Sequence, residues 1–176
     1  MNKSNKKVLI ISTVLLALAT LITVVCSAVK TQDDIADMLR KELQLTEEEA
    51  SRLSYVGEFT DNDDSLLWFT IQDGISHMNR YFAVECRVVA NGRYLVRGIS
   101  DGGSWGADVS HAFLGKKDII LINNPSCRSI IFMTMGGNEV SRIEISPDDI
   151  PYIFELEQPA RSTQIRFADA EGNEVR

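Results

Sequence analysis

Residues 81–99 read YFAVECRVVANGRYLVRGI. Two apolar runs, 81–90 and 93–99, flank Asn91-Gly92. A type I′ turn needs positive φ at both central positions, which Asn and Gly accept at little cost. The stretch therefore predicts two antiparallel strands joined by a two-residue loop. That loop sets a register in which Ala90 faces Arg93, Val88 faces Leu95 and Cys86 faces Arg97. One face of the ribbon then carries Phe82, Val84, Cys86, Val88, Leu95 and Ile99. The other carries Ala83, Val89, Tyr94 and Val96. Apolar residues on both faces place the ribbon centrally in a sheet and not at its edge.

Outward from this hairpin, the same strand grammar repeats. Upstream, 53–59 leads into the turn Asp61-Asn62-Asp63-Asp64, and 66–72 (LLWFTIQ) ends at Asp73-Gly74. Downstream lie 118–122 (DIILI), 129–135 (SIIFMTM), 139–145 (EVSRIEI), 152–156 (YIFEL) and 163–168 (TQIRFA). Ile143 and Ile145 alternate with Arg142 and Glu144, and Ile165 and Phe167 with Gln164 and Arg166, giving one dry and one wet face. Before the strands, Ile35, Met38, Leu39 and Leu43 recur at helical spacing over about 33–43. Thr46 with Glu49 fits a capping box that opens a second helical turn. The stretch 100–117 reads as the longest irregular segment, with ADVSHAF inside it fitting about two helical turns. The expected fold class is α+β, mainly β: one or two short helices, then antiparallel sheets in a β-sandwich-like arrangement.

The N-terminus decides location. After Lys3, Lys6 and Lys7, the run 8–29 (VLIISTVLLALATLITVVCSAV) carries no charge. As a helix it spans about 33 Å, against a hydrocarbon core of roughly 30 Å. Basic residues before it and Asp33 and Asp34 after it place the N-terminus inside and the C-terminal part outside the cytoplasmic membrane. An uncleaved single-pass signal anchor fits best, because the run exceeds the h-region of a cleaved signal. Cleavage after Ala28, which would release the protein, and lipidation at Cys26 are the alternatives, and Val25 before that cysteine disfavours the latter. The expected organisation is 1–29 as cytoplasmic stub and anchor, 30–110 as helix plus four strands, and 111–176 as a small Ig-like β segment.

Charge excludes one class of partner. The chain has 18 basic and 25 acidic side chains, a formal net charge of -7. Its basic residues are scattered singly, so it lacks the basic patch that displaces counterions from a nucleic acid. Two readings fit Cys86 and Cys127 outside the membrane. One is a disulfide closing a loop of about forty residues, worth about 3–4 kcal/mol on the chain-entropy model. The other is a pair of reduced core thiols. No CxxC is present, and neither His77 nor His111 has a ligand partner at i+3 or i+4, so no metal or cofactor is expected.

The C-terminal third, NNPSCRSIIFMTMGGNEVSRIEI followed by PYIFELEQ and TQIRFADAEGNEV, resembles the Ig-like β-domain that ends many small exported proteins of Gram-positive bacteria. The helix-then-strands segment before it is similar to the membrane-proximal part of the same uncharacterised group. The resemblance implies location and architecture, and carries no catalytic residue with it.

One motif points to chemistry. Residues 102–106, GGSWG, fit G-x-S-x-G, the nucleophile elbow of α/β-hydrolases, with His111 seven residues beyond Ser104. An elbow needs a parallel strand before it and a helix after it, and this one follows an antiparallel hairpin. Such a string also arises by chance in about one chain in twenty of this length. Asp61, Asp63 and Ser65 resemble the start of an EF-hand loop, but Leu66 and Gln72 occupy its glycine and glutamate positions. Trp68 reads as core. Trp105, a large aromatic among glycines, together with Asp101 and Asp108, marks the candidate binding residues. The expected function is a non-enzymatic binding module of the cell envelope, meeting an envelope protein or cell-wall component. A small envelope serine hydrolase using Ser104 and His111 is one alternative. A structural or regulatory ectodomain that partners through its membrane helix is the other.

Overall fold

The structure is a computed structural model that describes residues 29–72, 79–90, 92–106, 108–157 and 164–175, with the main chain alone at 103–106. The charge-free run up to residue 28, the expected turn at Asp73-Gly74, His77, Asn91 and the side chains of Ser104 and Trp105 lie outside the described residues. Among the described residues no helix is long and apolar enough to cross a membrane.

The chain begins with β1 (Val29–Lys30), α1 (Gln32–Glu42) and α2 (Glu47–Arg52). Both helices open on a capping box, Thr31 with Asp34 and Thr46 with Glu49, in which the acidic side chain also accepts the cap's own N–H. These hydrogen bonds hold the Asp34 and Glu49 carboxyls below their usual range, the cap's backbone N–H first among the causes. Next come β2 (Leu53–Asp61), β3 (Asp64–Ile71), β4 (Arg80–Ala90) and β5 (Arg93–Asp101), which with β1 form an antiparallel sheet of order β1-β5-β4-β3-β2. Then β6 (Gly103–Gly106), β7 (Val109–Leu114), β8 (Lys117–Ile122) and β11 (Tyr152–Glu155) form a second sheet, order β11-β8-β7-β6. Between them in sequence, β9 (Ser129–Met133) and β10 (Glu139–Glu144) join β12 (Gln164–Ala168) in a third, order β10-β9-β12. The mainly β, antiparallel fold with two short helices agrees with the sequence pattern.

Three apolar layers stack these elements. Ile35 and Leu39 of α1 pack on Leu67, Phe69, Phe82 and Val84, one face of the first sheet. Its other face, Leu66, Trp68, Tyr81 and Ala83, meets Ala112, Leu114, Ile119 and Leu121 of the second sheet. The far face of that second sheet, Val109, Ile120 and Ile122, meets Ile130, Phe132 and Phe167 of the third. Strand β8 therefore alternates between two cores, and Ile119 to Ile122 are all fully buried. Each such side chain contributes about 1.5–3 kcal/mol by leaving water. A boundary between residues 110 and 111 falls inside β7, which joins two of the layers, and Val29 belongs to a strand pairing with Leu95. Cys86 and Cys127 are free, buried thiols in different clusters, so the disulfide is not part of this fold.

Two further expectations need correction. The β4–β5 hairpin forms and Ala90 does face Arg93, but bulges then shift the register, so Val88 faces Tyr94 and Cys86 faces Val96. A one-residue shift exchanges the faces of the strand. Tyr94 and Val96 thus join the helix-side core, while Leu95 and Val89 are exposed. The supposed irregular segment 100–117 also contains strand: β6 and β7 pair antiparallel, and the described residues 108–113 of ADVSHAF contain no helix. Its period of two is hidden because Ser110 and Ala112 are weakly apolar, yet both are buried in line with Leu114.

The passage from β5 to β6 is where the chain changes sheet. At that corner the Gly102 N–H donates to the Tyr81 carbonyl at 2.8 Å. A Cβ there would press on Ser110 Oγ, lie 2.8 Å from the Trp68 ring and 3.1 Å from Tyr81 Cβ. Glycine is required by close packing, not by an unusual φ. Gly102→Ala is expected to destabilise the fold by about 1–3 kcal/mol, as overpacking does. Urea unfolding would show it as a lower midpoint at unchanged slope.

Candidate functional site

The corner leaves a notch in the molecule. Strand β6 accompanies β7 only as far as Gly103 opposite His111, because at Gly102 the chain has risen into the other sheet. Among the described residues, Ala112, Phe113 and Leu114 therefore pair with β8 alone. Across the gap, β5 beyond Leu95 has no outer neighbour among the described residues, since β1 covers only Tyr94 and Leu95. Between these two open strand edges lies a cavity of about 390 Å³, lined by Leu66, Glu85, residues 98–101 and residues 111–113. A smaller one of about 170 Å³, bordered by residues 79–82 and Gly102, shares Asp101 with it.

The charge in the notch is acidic. Glu85 and Asp101 border it, and its lining contains neither lysine nor arginine. The nearest described guanidinium in an ion pair with that lining belongs to Arg97, which sits 2.8 Å from Asp64 and 3.8 Å from Glu85. Arg97 is thus held mainly by Asp64, and Arg87 pairs with Asp63 and not with its strand neighbour Glu85. Phe113 stands at the rim, 60% exposed, its ring edge-on to His111 at 6.1 Å. His111 Nδ1 lies 3.5 Å from Asp118 Oδ1, an ion pair when the imidazole is protonated. Gly98 has open space where a side chain would stand.

The expected site residues divide. Asp101 and His111 border the notch. Asp108 does not line it. Its carboxylate accepts from Asn79 Nδ2 at 2.7 Å and from the Tyr81 hydroxyl at 3.0 Å, while its carbonyl accepts the Asn123 N–H at 2.9 Å. Asn123 Nδ2 donates in turn to the Tyr81 oxygen at 3.1 Å. Asp108, at φ +58°, is anchored at the start of β7 by these bonds. Backbone register sets Ser104 opposite Ser110 and Gly103 opposite His111. Ser104 thus stands within an antiparallel edge strand, not on a strand-to-helix turn as an elbow requires. Of the EF-hand-like acids, Asp61 pairs with Lys117 at 2.9 Å. Among the described residues no three His, Cys, Asp or Glu groups converge to hold a metal ion.

Glu85, Gly98 and Phe113 were missed by sequence reasoning. Two of them left signals: an isolated glycine inside a strand marks a close approach or opening, and Phe113 is a large aromatic at an outward-facing position. In comparisons with known proteins, no family model, curated protein or solved structure matches the chain.

Burial fixes the chemistry of the neighbouring groups. The Tyr81 phenol is pushed up to about 12, burial being the largest cause. Burial, with Glu58 and Glu85 adding to it, pushes the Cys86 thiol up to about 12 as well. A raised acid stabilises the fold fully below its unfolded value, near 10 for tyrosine, and that stability is lost as pH climbs toward 12. Stability by urea unfolding is therefore expected to fall through this alkaline window. Tyr81→Phe should make the decline shallower; an equally steep decline in that variant would place the effect elsewhere.

Proposed function

We propose that the chain is a membrane-tethered, extracytoplasmic interaction module. Residues 8–29 supply the tether, and the notch beside the β5–β6 corner is the recognition site. The observation that carries this reading is the notch: two open strand edges flanking an acid-lined cavity with an exposed aromatic at its rim. Unpaired edges and exposed aromatics are surfaces that soluble folds normally cover, and they are where partners bind. The charge-free run after three lysines supports the location. Val29, the last residue of that run, already belongs to β1, so an intact anchor would set the domain close to the membrane surface. A partner in the envelope, protein or cell wall, is the corresponding expectation, with no cofactor and no catalytic role assigned.

Two arms test it in cells that produce the full chain. With Met135→Cys, an impermeant maleimide should label intact cells, since Met135 is 85% exposed and Cys86 and Cys127 are buried; labelling only after lysis would reverse the topology. A photo-cross-linker at position 113 should yield one discrete adduct that the cavity-filling Gly98→Leu removes. The same adduct pattern from position 135 would count against the notch.

A further inference from the structure

We infer that the notch takes an extended peptide segment carrying a basic side chain, added as a strand beside residues 112–114 of β7. This rests on the notch being the recognition site and names what it recognises. The first argument is main-chain geometry. Strand β6 vacates its place beside β7 at Gly103, so among the described residues no strand pairs with that edge along Ala112, Phe113 and Leu114, and the cavity opens beside Ala112 and Phe113. The facing edge of β5, from Val96 to Asp101, is also unpaired on its outer side among the described residues. Open N–H and C=O groups on both walls suit another extended backbone, which satisfies them in the way that strand addition does elsewhere.

Charge selects the side chain. Glu85 and Asp101 border the cavity, no described lysine or arginine lines it, and Arg97 is engaged by Asp64 at 2.8 Å, reaching Glu85 only at 3.8 Å. Asp118 stands behind His111 at 3.5 Å, so the imidazole faces a carboxylate of its own. A lysine or arginine stem would lie over Leu66 with its head toward Glu85, and the exposed Phe113 ring offers a second contact for the cation. The volume, about 390 Å³, lies at the small end of ligand sites and suits a segment of a few residues. Gly98 keeps the β5 wall bare, which lets a backbone approach it.

The test uses the full chain in lipid nanodiscs, with backbone amide resonances as readout. The probes are the capped tripeptides Ac-Ala-Lys-Ala-NH2 and Ac-Ala-Glu-Ala-NH2, and butylamine as a cation without a backbone. The lysine peptide should shift the Ala112, Phe113 and Ile99 amides saturably, and the glutamate peptide should not. Glu85→Gln should weaken binding about 2- to 5-fold, the range of a solvent-screened ion pair. Gly98→Leu, a site with open space for a side chain and no left-handed φ, should abolish the shifts while distant amides stay in place. Equal binding of the two peptides, or shifts from butylamine matching those from the lysine peptide, overturns the inference. So does undiminished binding in Gly98→Leu. A discrete adduct from position 113 with no peptide response sinks the inference alone; absence of both sinks the recognition site itself.

Discussion

At Gly102 there is no room for a side chain, and the layout of the molecule follows from that crowding. The polypeptide must leave the first sheet there, with Trp68 and Tyr81 pressed against one side and Ser110 against the other. Its N–H is satisfied by the Tyr81 carbonyl, so the bend costs no backbone hydrogen bond. Because the strand changes sheet, β6 is short, β7 is left half-paired, and the gap between the two sheets opens to solvent as a notch. A fold detail and a candidate site thus have one cause.

Two strands buried on both faces carry the layers around this corner. In β3, Leu66 and Trp68 face the second sheet while Leu67 and Phe69 face the helices. In β8, Ile119 and Leu121 face the first sheet while Ile120 and Ile122 face the third. Strands of this kind cannot lose either neighbour without exposing about half of their apolar residues, which makes the three layers one cooperative unit. Polar groups at the seams are held in networks, of which Asn79, Tyr81, Asp108 and Asn123 form the clearest.

Much of this was legible in the residues, and the failures share a physical reason. The Asn-Gly hairpin, the alternation in 139–145 and 163–168, and the capping box at Thr46 each encode structure locally, within a few positions. The faces of β5 are not local: they depend on bulges in which Val89 of β4 and Arg97 of β5 are extra residues, and nothing in the sequence announces either. Likewise β7 is strand because sheets cover it above and below, while Ser110 and Ala112 alone are poor evidence of burial. For the site, acidic Asp101 was found because it flanks the glycine motif. Asp108 was chosen on the same ground, yet it serves the turn. Glu85 lies far from that motif in sequence, and only the pairing of β4 with β5 sets it beside Gly98.

The G-x-S-x-G string is thus best understood through its first glycine, which turns the strand, and through the short strand that follows. The most direct measurement is a set of cross-strand nuclear Overhauser contacts from Gly103 and Ser104. The account expects contacts to His111 and Ser110 of β7, alongside Asp101 contacts to Phe82 of β4. Contacts from Gly103 onward that continue along β4, with none to β7, would mean that the strand never changes sheet, and the corner and the notch would both be wrong.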